Sequence, residues 1–101
     1  MRALIVAAAL SCAAGATEPA RTAIVTGAAS GIGRAVALEA AARGWHVVLA
    51  DKDLAGAKEA AAEIHKAGGS ALAVKADVSA DADRAALLAA HPDAELLVNN
   101  A

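Results

Sequence analysis

The chain contains no tyrosine and no phenylalanine, and only one tryptophan and one cysteine among its 101 residues. Each shortage excludes something. A lone Cys12 cannot close an internal disulfide. No cysteine cluster exists to complete a zinc site, and His46, His65 and His91 lack metal-ligand spacing, so no metal is expected. One aromatic ring makes no platform for stacked bases. The 9 basic and 11 acidic residues, net charge −2, form no basic stripe, so nucleic acid is not an expected partner. Apolar residues make up 58% of the chain, but many are alanines, which bury little area each, so the core must be thin for its length.

What is present is a glycine-rich turn between a strand and a helix. Thr22–Val25 is short, apolar and β-branched, and Arg34–Ala40 has helical periodicity. Between them runs Thr26-Gly27-Ala28-Ala29-Ser30-Gly31-Ile32-Gly33. Such a turn leaves backbone N–H groups free at a helix start, where the helix dipole also favours negative charge. A pyrophosphate could sit there. The spacing is G-x-x-x-G-x-G, not G-x-G-x-x-G, and it lacks the Gly-Lys-Ser/Thr of a P-loop. By itself the turn is weak evidence, its other reading being a plain strand–helix connection.

The longer string T-G-A-A-S-G-I-G-R-A, from Thr26 to Ala35, resembles the cofactor loop of the short-chain dehydrogenase/reductase family. The resemblance implies that Gly27, Ser30, Gly31, Ile32 and Gly33 position a dinucleotide. Later segments fit the same family in order. The second strand, Trp45–Ala50, ends in Asp51, about 20 positions beyond Gly31. An acid there can accept hydrogen bonds from the adenosine ribose hydroxyls and repel a 2′-phosphate. That favours NAD over NADP as cofactor, while Lys52 beside it would soften the preference. Read without the family, Asp51 is a solvated turn acid; Asp53 reads better as a helix N-cap.

A third strand, Ala71–Ala76, leads to Asp77-Val78. The resemblance implies that Asp77 contacts the adenine amino group and that Val78 flanks the ring. Without it, Asp77 is an acid at a helix start beside Ser79. The final run, Leu96-Leu97-Val98-Asn99-Asn100-Ala101, is similar to the family's N-N-A-G segment lacking its glycine. There Asn99 would steady the central strands, and the backbone through Ala101 would pass the adenine ribose. Otherwise the pair of asparagines is a strand ending in a turn.

The family's catalytic residues have no counterparts here. Its chemistry uses a tyrosine, a lysine four positions later, a serine and a further asparagine. This chain has no tyrosine, so Lys52, Lys58, Lys66 and Lys75 belong to no Y-x-x-x-K. Ser11, Ser70 and Ser79 have no partner base at informative spacing. No catalytic residue is expected in these 101 residues. The resemblance implies an NAD(P)-dependent alcohol or carbonyl oxidoreductase represented by its dinucleotide-binding half, from a cut reading frame or a degraded gene. Two other readings stay open: a non-catalytic dinucleotide-binding module, and an exported remnant without ligand.

The expected fold is α/β, a partial Rossmann fold with about four parallel strands in the family's order 3-2-1-4 and right-handed crossovers. Helices are predicted near 32–43, 54–67 and 80–90, stopped by Gly44, by Gly68-Gly69 and by Pro92. Leu54, Ala57, Ala61 and Ile64 share one face of the second helix, with Lys58, Glu59, Glu63 and Lys66 largely opposite. Two helices should cover one sheet face and one short helix the other. The segment between Asp77 and Asn99 is about a turn shorter than the family's, which bears on how the last strand seats. That strand's free, apolar edge invites self-association and a marginal fold.

Residues 1–20 form a separate extension ahead of a dinucleotide-binding domain at 21–101. Met1-Arg2, the apolar run Ala3–Ala14 and the small residues Ala14-Gly15-Ala16 resemble a secretory signal peptide, with cleavage after Ala16. The run is too short to span a bilayer as a helix. The family implies a cytoplasmic protein, and the extension implies export; both remain as expectations.

Overall fold

A computed structural model describes residues 21–99; the signal-like extension, Asn100 and the site candidate Ala101 lie outside them. The elements run β1 (Thr22–Thr26), α1 (Gly31–Ala42), β2 (His46–Asp51), α2 (Leu54–Lys66), β3 (Ser70–Lys75), α3 (Asp81–Ala90) and β4 (Ala94–Val98). All four strands are parallel in one sheet, ordered β3-β2-β1-β4. This is the architecture read from the sequence, with helix and strand ends moved by a residue or so. The last strand begins earlier than Leu96, because Ala94 already pairs with Thr22; the register then shifts so that Ala23 meets Leu96.

Helix ends follow from local chemistry. Asp53 caps α2, its carboxylate accepting from the Gly56 N–H at 3.1 Å. Both long helices close in a Schellman arrangement. At the end of α1, Gly44 N–H donates to Ala41 O at 3.0 Å and Trp45 N–H to Ala40 O at 3.1 Å. At the end of α2, Gly68 N–H donates to His65 O at 3.0 Å and Gly69 N–H to Ile64 O at 2.9 Å.

Strand alternation divides the core between the two sheet faces. Ala23, Val25, Val47, Leu49, Leu96 and Val98 pack with Ala37, Ala40 and Ala41 of α1 and Ala57, Ala60, Ala61 and Ile64 of α2. The small alanine side chains let both helices lie close to the sheet, and Trp45 supplies the bulk they lack. Arg21 lies 6.0 Å from the Trp45 ring centroid, a cation–π distance. The opposite face is poorer: Ile24, Val48, Ala50 and Ala76 meet α3 through Leu87, its one buried residue. Leu72, Leu88 and Leu97 remain 46%, 50% and 50% exposed. Among the described residues no helix is long and apolar enough to cross a membrane.

Candidate dinucleotide-binding site

The sheet order reverses at β1, which carries β2 on one side and β4 on the other. In a parallel sheet the crevice beyond the strand ends at such a point is where ligands bind. The glycine turn stands there. Gly27 and Gly31 have φ of 65° and 63°, the left-handed region that side-chain-bearing residues rarely adopt. A Cβ built on Gly31 would meet nothing within 4 Å, so backbone conformation rather than crowding inside the chain demands glycine there.

Ser30 is the N-cap of α1, extended at φ −155°, yet its side chain makes no capping hydrogen bond, and the first turn of α1 holds no acidic residue. The first N–H groups of that helix have no intrahelical acceptor by geometry. Ser30, Gly31 and Ile32 are exposed, Ile32 at 67% despite its apolar side chain, whereas Gly33 is buried where α1 packs down. An uncapped, unacidic, open helix start is what an anionic group requires.

Beside the turn lies a cleft of about 380 Å³ lined by Gly27, Asp51, Lys52 and the Ala76–Ser79 stretch. The fold thus brings Gly27, Asp51, Lys52, Asp77 and Val78, distant in sequence, to one place. Asp51 is held in position. Its Oδ2 accepts from the Ala29 N–H at 3.0 Å and its Oδ1 from the Asp53 N–H at 2.9 Å. A carboxylate oxygen has two lone-pair sites, so each oxygen retains acceptor capacity for a hydroxyl. Ala76 N–H donates to Asp51 O at 3.1 Å and so ties the end of β3 to the same spot.

Asp77 heads a compact turn. Its Oδ1 accepts from the Ser79 hydroxyl at 2.6 Å and from the Ser79 N–H at 3.0 Å. These two bonds, aided by the nearby Lys52 charge, hold the Asp77 carboxyl below its ordinary range. The Asp77 N–H in turn donates to Asp83 Oδ2 at 2.9 Å. Arg84 completes the turn, donating to Val78 O and pairing with Asp81.

Asn99 sits on the other side of β1. Its Oδ1 lies 3.2 Å from the Thr26 hydroxyl, which is also 3.2 Å from Val98 O. A small cavity of about 80 Å³ includes Thr26, Val78, Leu97 and Asn99, so Val78 borders both spaces. Thr26, 4% exposed, borders the candidate site and was not among the residues singled out from the sequence. Its one signal was a hydroxyl at the end of an apolar strand, directly ahead of Gly27. Among the described residues no group of His, Cys, Asp or Glu is arranged to hold a metal ion.

Residues 21–101 match the family model described as short chain dehydrogenase. L-rhamnose 1-dehydrogenase (NAD(P)(+)) of Azotobacter vinelandii is 47% identical over a 90-residue alignment, covering 80% of this chain and 35% of that protein. The short-chain dehydrogenase/reductase homolog YusS of Bacillus subtilis is 40% identical over 86 residues, covering 80% of this chain and 79% of YusS. A crystal structure of hydroxysteroid dehydrogenase from Escherichia coli superposes with a TM-score of 0.75 at 34% identity, over 80% of this chain and 36% of that one. A metagenomic short-chain oxidoreductase in complex with NADP also superposes with a TM-score of 0.75, at 40% identity, over 80% of this chain and 38% of that one. The chain therefore spans little more than a third of most of these proteins, and most of YusS. With its glycine turn, its strand order and this match along 21–101 agreeing, the chain belongs to the short-chain dehydrogenase family.

Proposed function

We propose that residues 21–101 hold a nicotinamide dinucleotide for an alcohol or carbonyl oxidoreductase, with NAD preferred to NADP. The observation that carries this reading is the Asp51 carboxylate. It stands at the end of β2, anchored by two backbone N–H groups, with an acceptor site left on each oxygen. Ribose hydroxyls would find acceptors there and a 2′-phosphate would find a fixed negative charge. Arg34, the cation nearest the glycine turn in sequence, is paired with Glu63 at 2.6 Å rather than waiting for a phosphate. Lys52 is the cation that would temper the preference.

A bound nicotinamide supplies hydride chemistry. The work of this chain is to bind and orient. The N–H groups at the start of α1 receive the pyrophosphate, Asp51 the adenosine ribose, and Asp77 with Val78 the adenine. Asn99 and Thr26 keep the end of β4 beside β1, and Ala101 would extend that passage along the ribose. The 101 residues lack a tyrosine, so in this reading they bind cofactor without turning over an alcohol, and they work where that cofactor is available, in the cytoplasm. The half-exposed Leu97 on β4, an edge strand among the described residues, makes a second copy of the chain the expected protein partner.

Calorimetric titration with NAD and with NADP tests the reading. Saturable binding, tighter for NAD and unaccompanied by NADH formation when an alcohol is added, is the expected result. No binding of either dinucleotide would leave the glycine turn as a strand–helix connection and overturn it.

A further inference from the structure

The first turn of α2 presses against the glycine turn at a place no motif marks. A Cβ built on Gly56 would lie 2.8 Å from the Ala29 Cβ and 2.6 Å from Asp53 Oδ2. Carbon atoms in contact prefer about 3.5–4.0 Å, so a methyl group at position 56 cannot be accommodated without movement. The two obstacles differ in kind. Asp53 Oδ2 ends a side chain that can rotate, at the expense of the cap it makes with the Gly56 N–H. The Ala29 methyl has no torsion of its own; it moves only with the backbone of the glycine turn.

That backbone is the part Asp51 grips. Ala29 N–H donates to Asp51 Oδ2, Asp53 N–H donates to Asp51 Oδ1, and Gly56 N–H donates to Asp53. Three hydrogen bonds therefore connect the glycine turn, the end of β2 and the start of α2, and Gly56 closes the ring by direct contact with Ala29. Ala28 and Ala29 are buried at 0% and 7% exposure, so the turn cannot relieve a push from below by swinging into solvent without losing its packing.

We propose that Gly56 is a positioning residue for the dinucleotide: its missing side chain lets the glycine turn settle close enough for Asp51 to hold it. This rests on the cofactor reading given above. Substituting alanine for glycine inside a helix is ordinarily stabilising. Here the crowding should reverse that sign and displace the turn.

The experiment uses the full 101-residue chain and the variants Gly56→Ala, Ala29→Gly and the two combined. Two readouts are taken: the Ala29 amide proton by NMR without ligand, wherever residue 29 is alanine, and the dissociation constant for NAD. The expected result is that Gly56→Ala shifts the Ala29 amide upfield as its bond to Asp51 breaks. It should also weaken NAD about tenfold or more, since small misplacements of a binding group have large effects. The combined variant, having lost the Ala29 methyl, should regain NAD binding to within about threefold of the Ala29→Gly protein, a rescue that general destabilisation would not produce. Should Gly56→Ala fail to fold, recovery of a folded, NAD-binding protein by the combined variant makes the same point. An unmoved Ala29 amide in a folded Gly56→Ala protein overturns the inference, as does a combined variant no better than Gly56→Ala. If the parent chain binds no NAD, the cofactor reading fails, and the ligand-free amide still decides whether Gly56 sets the turn.

Discussion

The Asp51 carboxylate accepts a hydrogen bond from the Ala29 N–H at 3.0 Å, joining the end of β2 to the middle of the glycine turn. That bond ties the carboxylate to the shape of the turn; in the function proposed above, the same carboxylate also meets the adenosine ribose. Hydrogen bonds to a charged group contribute about 1.5–3 kcal/mol, so losing the ribose contacts should weaken NAD roughly 10- to 100-fold. Asp51→Ala is expected to reduce NAD affinity by that order and NADP affinity by less, because the variant also removes repulsion of the 2′-phosphate. Calorimetry with both dinucleotides checks this. Equal losses would assign Asp51 to the turn alone.

The Thr26 hydroxyl lies within 3.2 Å of both Val98 O and Asn99 Oδ1 across the β1–β4 pair. Thr26→Val keeps the shape of the side chain and removes the one hydroxyl proton that either oxygen could accept, the Val98 carbonyl being the buried one, at a cost of about 1–3 kcal/mol. For a domain this small that is a fall in Tm of several degrees. Thr26→Ser should recover most of it. A melt unchanged in Thr26→Val would show that β4 is held by its backbone pairing only.

Asp77 is held below the ordinary carboxylate range by Ser79. A group with a depressed folded pKa contributes its stabilisation above the unfolded value and loses it as pH falls through the folded one. The turn at 77–79 should therefore persist through mild acid and open only below the 3.8 of a free aspartate. NMR titration of the Asp77 carboxyl carbon should give a midpoint under that value, and Ser79→Ala should move it upward. A midpoint unmoved by Ser79→Ala would remove Ser79 as the cause.

Leu87 is the one buried residue of α3 and the chief cover for Ile24 and Val48. Leu87→Ala should destabilise the chain by about 2–5 kcal/mol, enough to abolish a cooperative melt in a protein of marginal stability. Retention of a sharp transition in circular dichroism would mean that this sheet face is secured otherwise.

Among the described residues β4 is the last strand on its side of the sheet, and Leu97 and Leu88 are half-exposed. Light scattering should report species larger than a monomer, and Leu97→Lys should shift them toward monomer, since charge on an edge strand opposes pairing. A monodisperse monomer for the parent chain would refute self-association through this edge.

Much of this was legible in the chain itself. Short apolar runs and period-3.6 patterns separated strands from helices, and Gly44 and Gly68-Gly69 marked helix ends, because those are local effects of backbone geometry. Asp53 was legible as an N-cap for the same reason. The string from Thr26 to Ala35 pointed to the family that the comparison over residues 21–101 shows, and the chain's lack of tyrosine restricted what chemistry could be expected of it. Tertiary structure decided what depends on residues meeting across the sheet. Nothing local to Asp51 shows that its carboxylate reaches back to Ala29, that Thr26 and Asn99 face each other, or that Gly56 lies under the turn. Those relationships exist because parallel strands bring their C-terminal ends together while the intervening helices carry the chain away and back, and a sequence lists neighbours only along the chain.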